Sequence, residues 1–470
     1  MGWRPLQCTP AVASPKARPT RHIDRKSVAC DTLFRGARHP PLPKDIIAPA
    51  GVVPSSKNFQ HFPWFQFLGV ILMANLVIVA HVPTDAVNDG FLPAARRIGL
   101  SVTLLTDHAD AHERHFARPD LPAYPDQIIA CDVFNPLAVV EALDGRQPAA
   151  IFSNSDHLQT STAAAAAHLG LPGKDQRVVY RAKNKAAMRA YMTQKGIDML
   201  WHRVVTSETD LVTVTEAPFP CVVKPREGVG SQLVRLVHNL DELRRYCRAV
   251  WTDRPGCVLL VEDYISGDLY TLETLGDGRS IRALGGFRVT LSDPPHFVEL
   301  AAEWGNWLTA DQQAAIMNQI EAFGVGFGSC HTEFVLTPNG PRLIEINYRT
   351  VGDRREFLLE ETLDFPLFET ILRLHLGEQL PDLEPGGRTA AMRYFPAGKA
   401  GELIKAPDAF NECGDGIWLN YRPLRREGDT VALTNSNKDY LGVLCASAPD
   451  TAALAQAMQA AGAGLSWDIR

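Results

Sequence analysis

Between Leu76 and Leu171 short β-branched runs alternate with helical patterns, and that alternation restricts the fold more than any other feature of the chain. LVIVA (76–80), VTLLTD (102–107), QIIACD (127–132) and AAIFSNSD (149–156) read as strands. GFLPAARRIGL (90–100) reads as a short helix closed by Gly99, and TSTAAAAAHLGL (160–171) as an alanine-rich one. Such alternation gives a parallel sheet covered by helices on both faces. Open sheets of this kind bind ligands at the carboxyl ends of their strands, where Asp107, Asp132 and Asp156 fall, although turn and cap aspartates look the same. No G-x-G-x-x-G follows the first strand, which argues against a dinucleotide site.

From about Tyr180 the pattern changes. RAKNKAAMRAYMTQKGI (181–197) reads as one helix ended by Gly196, and FPCVVKPREGVGSQLVRLV (219–237) as strand, glycine-containing loop and strand. An amphipathic helix (241–251), a strand (258–265), a meander over 268–275 and 281–291, and a helix near 308–324 follow. SCHTEFVLTPNGPRLIEIN (329–347) is a hairpin turning at Asn339-Gly340. A helix over 357–377, shorter strands and an alanine-rich helix near 449–463 complete the chain. The expected fold class is α/β with α+β.

At 470 residues and 46% hydrophobic, the chain has length for roughly three domains of about 100–200 residues each. The net charge of −6 gives no footprint for nucleic acid or an anionic membrane surface. Nine cysteines without paired spacing indicate neither a disulfide framework nor a zinc site, so a cytoplasmic location is expected. The charge is unevenly spread. Residues 1–72 hold ten Lys/Arg against three Asp and ten of the 33 prolines, so they carry +7 and the remainder carries −13. That front segment has no apolar period and is expected to be disordered, or to be an artefact of a start codon placed ahead of Met73. Phe62–Ala80 has the length of a signal anchor, but Pro63, Gln66 and Asn75 interrupt it, and the β-strand reading of LVIVA is preferred.

The hairpin carries the densest chemistry. His331, Glu333 and Val335 share one face of its first strand, and Glu345, Asn347 and Arg349 one face of the second. The turn sets Glu333 nearly opposite Glu345, and directly opposed like charges call for a compensating cation. Two carboxylates and an amide oxygen are the hard donors that magnesium takes when it binds with nucleotide phosphates. Upstream, Lys224 closes the apolar strand CVVK, and Gly228, Gly230 and Ser231 allow the next loop to close over phosphates. Lys185, at the head of a helix, is a second candidate phosphate contact, although a surface lysine reads the same. The strand ending Glu262-Asp263-Tyr264-Ile265 offers backbone donor and acceptor groups at the rim of an apolar slot, as an adenine requires.

In this order and spacing the pieces resemble the ATP-grasp superfamily, from about residue 75 to the C-terminus. The resemblance implies an ATP-grasp fold in which residues 73–180 form an N-terminal parallel α/β domain, 181–390 two subdomains clasping ATP, and 391–470 a small C-terminal domain. It implies that Lys185 and Lys224 hold ATP phosphates and that Glu262 with the backbone at Tyr264 and Ile265 forms the adenine hinge. Glu333, Glu345 and Asn347 become ligands of magnesium, two ions with Mn2+ as a substitute, and Arg349 a contact to the transferred phosphate or substrate carboxylate. Leu269 stands where many relatives hold ribose with glutamate, which shifts that role to Asp268 or elsewhere. His331, a catalytic candidate or else a packed, hydrogen-bonded histidine, replaces the arginine of D-alanine ligases, and HTE instead resembles L-amino-acid ligases and carnosine-synthase-like enzymes. The implied activity is carboxylate–amine ligation through an acyl phosphate, with Arg349 and then Arg288 as oxyanion donors, in small-peptide or siderophore assembly. Arg354 and Arg355 are possible ligands of a polyacid substrate or plain salt-bridge partners. A dimer is the expected assembly. A phosphotransferase, a purine-pathway type ligase and a non-catalytic ATP-dependent module remain alternatives.

Overall fold

The computed structural model describes residues 74–117, 124–383 and 386–470, and the expectations for residues 1–72 lie outside them. The described part begins with β1 (Asn75–Val79), α1 (Leu92–Arg97), β2 (Ser101–Thr106), α2 (Ala109–Phe116), β3 (Gln127–Ala130), α3 (Pro136–Ala142), β4 (Ala150–Phe152) and α4 (Gln159–His168). The strands pair in parallel in the order β3-β2-β1-β4, as the alternation requires. Residues Leu76 to Val79 are fully buried, so this strand is covered on both faces. No helix among the described residues is long and apolar enough to cross a membrane.

The single helix expected over 181–197 is two, α5 (Gln176–Lys183) and α6 (Lys185–Lys195). Asn184 leaves the helical conformation and its side chain accepts from the Ala187 N–H at 3.0 Å, an N-cap that restarts the helix just before Lys185. Gly196, at φ 67°, ends α6 as expected. A small antiparallel sheet follows, built from β5 (His202–Val205), β6 (Cys221–Pro225), β7 (Arg235–Val237), α7 (Leu240–Asp253) and β8 (Leu259–Asp263), with strand order β5-β8-β6-β7.

The largest sheet collects β9 (Leu269–Asp277), β10 (Ile281–Leu291), β11 (Glu299–Gly305), then, after α8 (Ala310–Phe323), the hairpin β12 (Phe327–Thr337) and β13 (Gly340–Asn347). The strand β11 was not foreseen. The helix expected over 357–377 is also two, α9 (Arg355–Thr362) and α10 (Leu367–His375), parted at Pro366, which cannot sit in a helix interior. Beyond it come β14 (Thr389–Pro396), β15 (Gly401–Lys405), β16 (Phe410–Gly414), β17 (Ile417–Pro423), β18 (Thr430–Val431), β19 (Tyr440–Ala448), α11 (Thr451–Ala463) and β20 (Asp468–Ile469).

The order of that sheet is β13-β12-β9-β10-β11-β14-β19-β17-β16. Because β11 pairs with β14 from Ala301↔Arg393 to Trp304↔Ala390, the sheet runs unbroken across the boundary drawn at 390. The C-terminal segment is therefore continuous in hydrogen bonding with the strands that bear the hairpin carboxylates. Against this unit α10 docks the parallel sheet. Phe368 meets Phe91 edge-on at 4.9 Å between ring centroids, and Phe91 in turn packs on Phe152 of β4 at 4.4 Å. The carboxyl ends of β1 and β4 thus face the same space as β12 and β13.

Candidate functional site

That space is a cavity of about 640 Å³, by far the larger of the two best-formed among the described residues. One end is walled by Lys185, Lys224, Glu262, Glu333, Glu345 and Asn347. The other is walled by the segment after β1, the start of the loop after β4, and residues 351–356.

The hairpin register brings the side-chain oxygens of Glu333, Glu345 and Asn347 together. Glu333 lies opposite Glu345 and His331 opposite Asn347, with a bulge immediately after Glu333 that changes the count of residues between the strands. The Asn347 amide nitrogen donates to Glu333 Oε1 at 3.0 Å. Lys185 Nζ meets Glu345 Oε1 at 2.7 Å and donates to the Gly228 carbonyl at 2.8 Å. Burial by itself would lower the Lys185 pKa, but the Glu345 carboxylate raises it. Each opposed carboxylate is thus balanced by a separate cation, Glu345 by Lys185 and Glu333 by His331.

The His331 ring is buried between two carboxylates. Its Nδ1 lies 2.7 Å from Glu273 Oε1 on β9, and its Nε2 lies 3.4 Å from Glu333 Oε1. Burial alone would lower this histidine, yet the Glu273 carboxylate raises it to about 10. Burial would raise Glu333, but its hydrogen bond to His331 and the charges of His331, Lys185 and Lys224 hold it low. The donor set of two carboxylates and one amide oxygen fits a hard divalent cation.

The second lysine is held differently. Lys224 Nζ is 2.5 Å from Glu262 Oε1, while Arg189 Nε donates to Glu262 Oε2 at 2.9 Å. Arg189 also donates to the carbonyls of Leu343 and Ile344 at 2.7 and 3.1 Å, tying α6 to β13. Burial would raise Glu262, but Arg189 and Lys224 together bring it down to about 2. The Glu262 carboxylate is thus engaged beneath the cavity, and only the backbone beyond it, through Tyr264 and Ile265, remains for a hinge. Gly230, at φ 60°, and Ser231, at φ 54°, form a tight loop on the same wall, and the Asn437 N–H closes onto the Gly230 carbonyl at 3.1 Å.

Arg349 stands at the junction of the two ends. Its Nε is 3.8 Å from Asp156 Oδ1, and Asp156 Oδ2 accepts from Lys183 at 2.7 Å. Burial would raise Asp156, but Arg349 and Lys183 bring it down to about 2. Of the three strand-end aspartates, Asp156 is the one that lines the cavity.

Other sequence expectations fall elsewhere. Arg288 and Asp268 do not line the cavity; both are exposed and approach each other at 3.6 Å, with Arg288 stacked over Trp307 at 5.9 Å. Arg354 and Arg355 do line it but are paired, Arg354 with Asp85 at 2.6 Å and Arg355 with Glu299, which leaves neither as a free cation for a polyacid. Arg189, Glu273 and Glu299 escaped the sequence reading; each acquires its role from a partner at least 56 residues away.

Residues 183–353, which hold both lysines and the hairpin, match the model of the ATP-grasp domain, and the chain carries that domain. Among curated proteins, an uncharacterized protein y4rH of Sinorhizobium fredii is 28% identical over 318 residues, 64% of each chain. Carnosine synthase 1 of Gallus gallus is 29% identical over 372 residues, 71% of this chain and 38% of that protein. The chain therefore spans less than two thirds of the length of either relative. An L-amino acid ligase from Bacillus licheniformis shares the fold, with a TM-score of 0.66 at 20% identity over 84% of this chain and 99% of its own.

Proposed function

We propose that this protein is an ATP-dependent ligase that joins a carboxylic acid to an amine through an acyl phosphate. One observation carries the reading: Glu333 opposite Glu345, with Asn347 beside them, on a cavity wall that also holds two buried lysines. In this reading Lys185 and Lys224 bind the phosphates, the loop through Gly228, Gly230 and Ser231 covers them, and the backbone at Tyr264 and Ile265 holds adenine. Glu333, Glu345 and Asn347 hold magnesium, which supplies neutralising charge to the phosphoryl oxygens.

The acid's carboxylate oxygen attacks the γ-phosphorus, and ADP leaves. The amine nitrogen then attacks the acyl carbon; after it loses a proton, the tetrahedral intermediate collapses to an amide and releases phosphate. Arg349, oriented by Asp156, is the donor aimed at charge developing on the acyl oxygen. Arg288 drops from that role because it lies outside the cavity. Holding both reactants side by side provides most of the acceleration.

The amine is best sought among amino acids, since an L-amino acid ligase shares the fold and carnosine synthase 1 is a relative. The pairing of Arg354 and Arg355 argues for an acid with one carboxylate to bind, which makes the polyacid units of some siderophores poorer candidates. The test is a phosphate-release screen of carboxylic acids against amino acids and diamines, in the presence of Mg2+ and ATP. The proposal requires release that depends on both an acid and an amine and disappears in Glu345→Ala. Turnover that needs no amine, or that survives in Glu345→Ala, overturns it.

A further inference from the structure

A second cluster of ligating groups lies outside the ATP-grasp domain, at the carboxyl edge of the parallel sheet. His81 follows β1, and Asp107 and His108 follow β2. One ligating atom from each lies within 4.8 Å of the other two. His81 Nδ1 is 2.8 Å from Asp107 Oδ1 and 2.9 Å from Oδ2, and His108 Nε2 is 4.0 Å from Asp107 Oδ2. Tetrahedral ligands of a zinc-sized ion, bonded at about 2.0–2.2 Å, stand about 3.3 Å apart. The observed separations bracket that value, and the exposed His108 ring can close the difference by a rotamer adjustment.

The backbone beneath these groups is fixed. The buried Thr106 hydroxyl donates to the His81 carbonyl at 2.7 Å and accepts from the His108 N–H at 3.0 Å, so a single side chain sets the spacing of both histidine-bearing turns. His112 Nε2, from α2, lies 3.3 Å from the same carbonyl. The His81 ring stands edge-on to Phe134 at 5.1 Å and to His108 at 4.5 Å, which limits its rotation. These contacts fix the main chain that carries the three side chains and restrict the His81 ring.

We infer that His81, Asp107 and His108 form a binding site for a divalent transition ion, with three protein ligands and at least one position left to water or another ligand. Two imidazoles and a carboxylate favour Zn2+, Co2+ or Ni2+ over Mg2+. The segment after His81 runs into the cavity wall, where Asp85 pairs with Arg354. An ion at this site ties the start of that segment to the end of β2. The inference does not depend on the ligase reading.

The experiment is a Co2+ titration of the full chain in excess Mg2+, followed by visible absorption. Excess Mg2+ occupies the hard-oxygen site, so one equivalent of Co2+ with the intense d–d band of low coordination number is the expected result. His108→Ala, an exposed change that leaves the fold intact, weakens that equivalent at least tenfold, as does His81→Asn, while Glu345→Ala retains it. The inference is overturned if no such band forms, if the band survives both histidine variants, or if it is lost in Glu345→Ala alone, which would mean that the His81–Asp107 pair is an ordinary hydrogen bond.

Discussion

Glu262→Gln is the perturbation whose outcome the structure predicts in most detail. The carboxylate sits between Arg189 and Lys224, and all three side chains are at least 94% buried. Its pKa falls from an ordinary 4.5 to about 2, because the two cations outweigh burial, and that difference corresponds to about 3 kcal/mol of folded-state stability. Removing one partner of a buried ion pair costs about 3–5 kcal/mol, an independent figure of the same size. Glutamine keeps an acceptor for Arg189 but not the charge, so about 3 kcal/mol is expected. At ~2–4 °C per kcal/mol that is a loss of about 6–12 °C in the melting transition of this part of the chain. The pH dependence has a definite sign. A carboxyl lowered by folding contributes its stability above pH 4.5 and loses it as pH falls through about 2. The gap between native protein and variant, read by thermal melts and urea midpoints from pH 8 downward, should hold to about pH 5 and then close. A shift under about 2 °C, or a gap independent of pH down to 2, would refute the assignment of a dry, paired carboxylate.

Other changes test the neighbouring assignments. Lys224→Ala should raise KM for ATP at least about tenfold in a steady-state assay, because it removes the phosphate contact proposed for Lys224 and leaves Glu262 with Arg189 alone. Asp156→Asn removes the carboxylate between Lys183 and Arg349, and kcat should fall by about 10- to 100-fold with KM for ATP little changed; equal effects on both would make Asp156 a structural residue. Lys174 is buried against the Tyr348 carbonyl and Gln159, and burial brings its pKa down to about 7. A lysine lowered by folding carries its full penalty below about pH 7 and sheds it as pH rises toward the ordinary 10.5, so the urea midpoint should rise between about pH 7 and 9, and Lys174→Met should flatten the rise.

The parts of the site that the sequence revealed are those with local signals. The hairpin could be read because Asn339-Gly340 marks a turn and alternate residues share a face, which sets Glu333 and Glu345 nearly opposite each other but does not fix the register. The bulge after Glu333 carried no such signal, and it matters: the regular ladder from Thr337↔Gly340 to Phe334↔Leu343 would continue to Ile344, and the extra residue on the turn side brings Glu345 opposite Glu333. The lysine positions were legible from their place at a helix head and a strand end. The fate of Glu262 was not, because its carboxylate is claimed by Arg189, 73 residues away, and no local pattern announces that contact. Glu273 and Asp156 are similar: one is a polar residue within an apolar strand and the other resembles a turn aspartate until Arg349 is brought beside it. The helix breaks at Asn184 and Pro366 did have signals, a cap residue and a proline, which were outweighed by the continuous periodicity around them.

The central claim is that a substrate carboxylate is phosphorylated before the amine attacks. With an acid and amine found in the screen, the acid is labelled with 18O in its carboxyl group and the released phosphate is analysed by mass spectrometry. Transfer through an acyl phosphate places one 18O in the phosphate for each amide formed. Unlabelled phosphate accompanying amide formation, or a phosphorylated product in place of the amide, would contradict the account.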